Sequence, residues 1–479
     1  TLTPQGNDNI SCTLTNIAHQ PRVTLQKALS TSGRLNAADQ FTLRVMQGAT
    51  TVATGTTTGS GSTITGGVAG PVFLSAGVTY SLSEVMAGGS VSALSAYDSQ
   101  ISCTNTNGSS STVLPSGSGT SFNLTPQLDD VISCTITNGN PRIRVNKTVT
   151  TVRNGTDRFT TEIRTGGAAG TIVSNTTDGG GTLTTAGVGS YTAGGYYEAK
   201  SGITYTITES MTSGTLSNYS ASMSCTNATS GSSTVLPSGT ASSFNITPQF
   251  GDDITCTLTN ITQPRIAFSK ALSTARTANT DQFLMRLQGG ATNLSTTTTG
   301  TGSTVTTGAI AATQVVAGTT YTLSETASGT TVLANYNARI SCTNSYGSSV
   351  TSLPSGAGTS FTLTPQLGDD ISCTLTNGRE PRLRLHKTIA TGLVDSNDRF
   401  TTEIRDNTAN KTVVSTTDGS STTGGAVTTT GGVGTYSATG VYVATAGTTY
   451  NLTESISAGT SGISQYDTTI SCTNNGTAM

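Results

Sequence analysis

Four segments of the chain open alike: PRVTLQKAL (21–29), PRIRVNKTV (141–149), PRIAFSKAL (264–272) and PRLRLHKTI (381–389). They lie 120, 123 and 117 residues apart, so the repeating unit is a whole domain and not a solenoid turn. Units one and three share KALST and DQF, and units two and four share DRFTTEIR, so the duplicated block is itself a pair. This periodicity predicts a chain of domains with boundaries at 18–138, 139–260, 261–377 and 378–479, preceded by a segment 1–17. The joints NGNPR, NITQPR and NGREPR are short and contain proline, which predicts stiff connectors and an extended rod.

Within a unit, short segments alternate apolar and polar residues between Gly-, Ser-, Thr- and Asn-rich turns. FTLRV, TYSLSE, YDSQISC and ISCTITN are examples. Period two with frequent turns predicts an all-β fold of four tandem Ig-like antiparallel β-sandwiches. Charged residues are only 10% of the 479, with a formal net charge of −2, which excludes a basic nucleic-acid footprint. No apolar run reaches the length of a membrane span. The first residue is Thr1, as expected of a processed mature form.

Eight cysteines are present, and Cys103/Cys134, Cys225/Cys256 and Cys342/Cys373 are each separated by 31 residues. Fixed spacing, no CxxC and two histidines predict disulfides, not a metal site, and an extracellular setting. Each bridge of this size is worth about 4 kcal/mol in the chain-entropy description. Cys12 and Cys472 are left over at the two ends.

Residues two apart share a face of a strand. On that rule Lys27, Lys147, Lys270 and Lys387 point the same way as the apolar residues of the opening strands. Glu84, Glu209, Glu325 and Glu454 do the same in the Tyr-x-apolar-x-Glu strands, and Asn138, Asn260 and Asn377 end the closing strands in phase with their cysteines. Each unit thus turns a lysine, a glutamate and an asparagine toward its core. One reading is a buried ion pair with an amide partner, or a lysine that snorkels at the rim. The other is a covalent one: burial leaves the lysine neutral and nucleophilic, the protonated glutamate polarises the asparagine carbonyl, and an isopeptide bond forms with loss of ammonia.

Lys in the first strand, Glu in Y-x-L-x-E and Asn at the end of the last strand resemble the Cna B-type and SpaA-type pilin and adhesin domains of bacterial surface proteins. The resemblance covers nearly the whole chain, four times over. It implies a prealbumin-like β-sandwich and a Lys–Asn isopeptide bond catalysed by the Glu, carried by Lys27, Glu84 and Asn138, by Lys147, Glu209 and Asn260, and by Lys270, Glu325 and Asn377. The chain departs from the family's pattern in lacking its Asp soon after the Lys and its Pro-x-Gly-Tyr after the Glu. The cysteine pairs are an addition.

Unit four has Lys387, Glu454 and Cys472 but ends CTNNGTAM, while TLTPQGNDNISCTLTN at the start carries Cys12 and Asn16. The matched ends predict donor-strand complementation between copies, head to tail, with a Cys12–Cys472 disulfide and a Lys387–Asn16 isopeptide bond. The expected role is a structural subunit of an extracellular bacterial filament; a stalk segment of a large cell-surface adhesin that binds a host or environmental ligand is the alternative. No cofactor is expected, and no catalysis on an external substrate: His19 and His386 do not recur among the repeats. Acidic pairs such as Asp129–Asp130, Asp252–Asp253 and Asp369–Asp370 read as exposed turns in preference to calcium ligands.

Overall fold

The computed structural model describes residues 1–14, 20–177, 184–185, 195–385, 387–389, 393–407, 411–417, 427–428, 442–474 and 477–478. Strands dominate, with short 3-10 turns at Leu94–Ala96, Leu216–Asn218, Leu333–Asn335 and Ile463–Gln465. By compactness the chain divides into Thr1–Gln263 and Pro264–Met479, between the second and third repeats.

The first repeat shows the plan. Its strands are β1 (Arg22–Leu29), β2 (Phe41–Gln47), β3 (Thr50–Thr58), β4 (Thr65–Gly66), β5 (Val68–Phe73), β6 (Tyr80–Met86), β7 (Ser99–Asn105), β8 (Gly117–Ser118), β9 (Ser121–Leu124) and β10 (Val131–Asn138). They form two sheets, β5-β1-β10-β7-β8 and β4-β3-β2-β6-β9. Alternation buries one face of each: Val23, Leu25, Leu43, Val45, Leu82 and Ile136 are all 0% exposed. Each such side chain contributes about 1.5–3 kcal/mol by leaving water.

One ladder departs from the antiparallel expectation. β1 and β10 run parallel, from Arg22↔Val131 to Leu29↔Asn138. Parallel neighbours need a long crossover, and here the crossover is the rest of the domain. The chain enters at the start of β1 and leaves at the end of its neighbour. In the second and third repeats Arg142–Val149 and Arg265–Leu272 pair in the same way with Asp253–Thr262 and Asp370–Arg379.

The fourth repeat forms a three-stranded sheet from Arg399–Asp406, Lys411–Thr417 and Tyr450–Ala458. Its opening segment pairs only through Arg382–Leu383 and Thr388–Ile389, and each has an antiparallel partner alone among the described residues. Residues 467–472, the counterpart of β7, have no ladder partner there.

Candidate functional site

In each of the first three repeats the opening, Glu-bearing and closing strands deliver their polar residues to one buried point. Lys27 Nζ lies 2.7 Å from Glu84, Lys147 Nζ 2.9 Å from Glu209 and Lys270 Nζ 2.8 Å from Glu325, with the side chains at most 3% exposed. Asn138, Asn260 and Asn377 are 0% exposed. Asn260 Nδ2 donates to Glu209 at 2.6 Å, and Lys147 Nζ donates to Asn260 Oδ1. Asn377 Nδ2 donates to Glu325 at 3.2 Å. In the first repeat Ser99 Oγ lies between the two, 2.9 Å from Glu84 Oε1 and 2.7 Å from Asn138 Oδ1, with its single proton available to either. The lysine reaches the asparagine's end of the closing strand because register sets Lys27 beside Ile136, two residues before Asn138.

Burial dominates the electrostatics. It pulls the Lys27 and Lys270 ammonium groups down to about 8, although Glu84 and Glu325 pull the other way. A removed partner would leave an uncompensated charge in this site, so the group must be kept intact or converted to a neutral linkage.

The walls of the site were not singled out from sequence. Each lysine nitrogen sits over a phenylalanine ring: Phe41 at 4.6 Å, Phe159 at 4.6 Å, Phe283 at 4.7 Å and Phe400 at 4.3 Å. Each ring packs edge-on against a tyrosine, Tyr97, Tyr219, Tyr336 or Tyr466, at 4.9–5.1 Å. Each tyrosine hydroxyl donates to an aspartate: Tyr97 to Asp39 at 2.7 Å, Tyr336 to Asp281 at 2.5 Å, Tyr466 to Asp398 at 2.6 Å, and Tyr219 to Asp157. Burial and Asp157 push the Tyr219 hydroxyl up to about 12. The signal was present as a recurring Asp-x-Phe and a Tyr before each cysteine strand.

Three disulfides join Cys103–Cys134, Cys225–Cys256 and Cys342–Cys373. Each pair sits directly across the antiparallel ladder that flanks the closing strand. The acidic pairs before these strands are turns, as expected, but one member of each pair is buried. Asp130, Asp252 and Asp369 are 0–1% exposed. Asp130 accepts from Asn105 Nδ2, Thr112 Oγ1 and Gln127 N. Satisfying the turn's donors requires the carboxylate inside, where a solvated turn would leave them open. No cluster of metal-ligating side chains occurs among the described residues.

The fourth repeat places Lys387 against Glu454, with side chains 15% and 13% exposed. Thr468 takes the place of Ser99 and donates to Glu454 at 3.5 Å. Cys12 and Cys472 are exposed free thiols. Residues 1–14 are exposed and outside any strand. Asn16, His19 and His386 lie outside the described residues.

Tandem sandwiches that close a last strand beside a first, over a buried Lys–Glu–Asn group, define a prealbumin-like repeat protein. The chain belongs to the SpaA-type prealbumin-like fold domain family, which matches residues 22–140, 142–262, 265–379 and 382–479. Solved structures similar to it include the major pilin from Streptococcus pyogenes (12% identity, 50% of this chain and 99% of that one, TM-score 0.19). The Bacillus anthracis TIE protein is 13% identical over 75% of this chain and 51% of that one, with TM-score 0.22. The pilus adhesin SpaC from Lactobacillus rhamnosus GG is 14% identical over 76% of this chain and 44% of that one, with TM-score 0.24. No curated protein matches the chain. No helix among the described residues is long and apolar enough to cross a membrane.

Proposed function

We propose that this chain is a structural subunit of an extracellular bacterial filament, hardened by Lys–Asn isopeptide bonds in its first three domains. The buried Lys–Glu–Asn group, repeated three times on the same strands, carries the reading. The lysine passes a proton to the glutamate and becomes a neutral amine. Nζ then attacks Cγ of the asparagine while the protonated carboxyl polarises its carbonyl. The new Nζ–Cγ amide forms, the Cγ–Nδ2 bond breaks, the glutamate gives its proton to Nδ2, which leaves as ammonia, and the glutamate takes up the second proton that Nζ loses. Lys27–Asn138, Lys147–Asn260 and Lys270–Asn377 are the three bonds. The chemistry is single-turnover and acts on no external substrate.

The same reading has copies joining head to tail. Residues 1–17 of one copy close the fourth domain, 378–479, of the next by donor-strand complementation, with a Cys12–Cys472 disulfide and a Lys387–Asn16 bond. The exposed thiols and the partly exposed fourth-domain pair support it. The test is intact mass of the purified protein. The expected deficit, beyond three disulfides, is three ammonia molecules, and Glu209→Ala should restore one. A protein that has lost none overturns the crosslinks.

A further inference from the structure

The segment before the first domain already carries the turn that precedes a closing strand. Gln5 N donates to Asp8 Oδ2 at 2.7 Å, and Asp8 N returns to Gln5 O at 3.1 Å. The three internal closing strands are preceded by the same turn. Gln127, Gln249 and Gln366 each donate to the carboxylate of Asp130, Asp252 or Asp369 at 2.7 Å. The residue before that aspartate is left-handed in all four: φ is 77° at Asn7, 65° at Asp129, 71° at Gly251 and 89° at Gly368. Internally the turn is held by its host domain. At Asp8 it stands without one.

The apolar face of this segment is equally complete and open to solvent. Leu2, Ile10 and Leu14 are 56%, 47% and 91% exposed. Their counterparts Leu124, Ile132 and Ile136 are at most 1% exposed. The complementary surface lies in the fourth domain, where Ile470 is 63% and Leu452 37% exposed, against 3% for Ile101 and 0% for Leu82.

We infer that Leu2–Leu14 is a preformed closing unit whose seat is the fourth domain of a second copy, in one register. That register, which rests on the head-to-tail reading above, follows from β10 in the first domain. Cys12 faces Cys472, as Cys134 faces Cys103. Leu14 lies beside Lys387, as Ile136 lies beside Lys27. Arg382 N donates to Asp8 O, as Arg22 N does to Asp130 O. Gly447 N donates to Pro4 O, as Gly77 N does to Pro126 O. Asn474 Nδ2 donates to the Asp8 carboxylate, as Asn105 does to Asp130. Leu2 continues past the turn onto the Tyr450–Ala458 strand, as Leu124 does beside Tyr80. A turn fixed in advance lowers the ordering cost of docking. Docking then brings the two thiols together. They lose two protons and two electrons to a small-molecule disulfide, which leaves as two thiols, and one S–S bond closes.

Two full-length variants, Cys12→Ser and Cys472→Ser, test this in the presence of a small-molecule disulfide. Mixed and read under denaturing conditions, they should give a reducible crosslink between two copies whose digest contains the Cys12–Cys472 peptide pair, a crosslink that neither variant gives alone. Adding Leu14→Asp to Cys472→Ser should slow dimer formation at least about tenfold, because a carboxylate would enter the core. The register is overturned if Cys472→Ser dimerises alone as fast as the mixture. It is also overturned if the unaltered chain closes Cys12 on its own Cys472, or if Leu14→Asp has no effect. Unaltered chains imaged as filaments without that crosslink would reject the register and leave the filament standing. The ammonia deficit in the same spectra reports the internal bonds independently.

Discussion

The first and fourth domains spell the same strand and fold it differently. AYDSQISCTN (96–105) contains β7, Ser99–Asn105, with Ile101 3% exposed. QYDTTISCTN (465–474) leaves 467–472 without a ladder partner among the described residues, with Ile470 63% exposed. Both domains keep the features that need no closing strand. Phe400 is 0% exposed, its ring meets Tyr466 at 4.9 Å, and Tyr466 donates to Asp398 at 2.6 Å. Among the described residues the core differs most: thirteen buried side chains cluster in the first domain, while in the fourth Ile404 is clustered with Leu383, Leu385, Tyr442 and Tyr450 partly buried around it. Strand formation here is conferred by the neighbouring strand more than by local propensity.

The contrast can be broken from the complete side. Ile136→Asp puts a charge in the middle of β10 and should cost roughly 5 kcal/mol or more, leaving the β7 segment as open as 467–472. Hydrogen exchange across 99–105 is the measurement. Glu84→Ala, which strands the Lys27 ammonium, should cost about 3–5 kcal/mol in thermal unfolding and retain one ammonia in the intact mass. From the incomplete side, a peptide TLTPQGNDNISCTLTN at a hundred times its Kd should protect 468–474 about a hundredfold, or about 2.7 kcal/mol. The tyrosine clamp is common to both domains, so Tyr97→Phe and Tyr466→Phe should cost a similar amount, about 1–3 kcal/mol each, by leaving an aspartate and a backbone N–H unsatisfied.

The smallest effect is a pH dependence. Burial pulls the Lys27 and Lys270 ammonium groups down to about 8, so they keep their protons below that pH and lose them above it, and the proposed proton transfer to the glutamate then has no donor. Ammonia release from freshly folded, unlinked protein should therefore be level up to about pH 8 and fall above it. A rate that climbs through that pH would remove the acid role from the glutamate.

Much of this architecture was written in period two. Alternation marked the strands, and the same phase turned Lys27, Glu84 and Asn138 inward with the aliphatic residues. The 31-residue spacing joined the cysteines because a cross-strand pair fixes the loop between them. The parallel β1–β10 ladder was not legible, since which strands become neighbours depends on contacts over a hundred residues apart in sequence. Nor were the roles of Phe41, Tyr97 and Asp39. Their repetition was plain, but only packing shows that one ring carries the ammonium and the next is pinned by the carboxylate. Asp130 looked like a solvated turn because sequence displays its charge and not the donors that converge on it.

The parallel ladder also sets how a single domain answers tension. A pull on the chain at Arg22 and beyond Asn138 runs lengthwise through two adjacent strands paired over eight positions. The hydrogen bonds between them are loaded in shear and share the force, where a hairpin pulled at its open end would unzip rung by rung. A bond from Lys27 to Asn138 would carry the load straight from one strand to the other, leaving the residues between them slack.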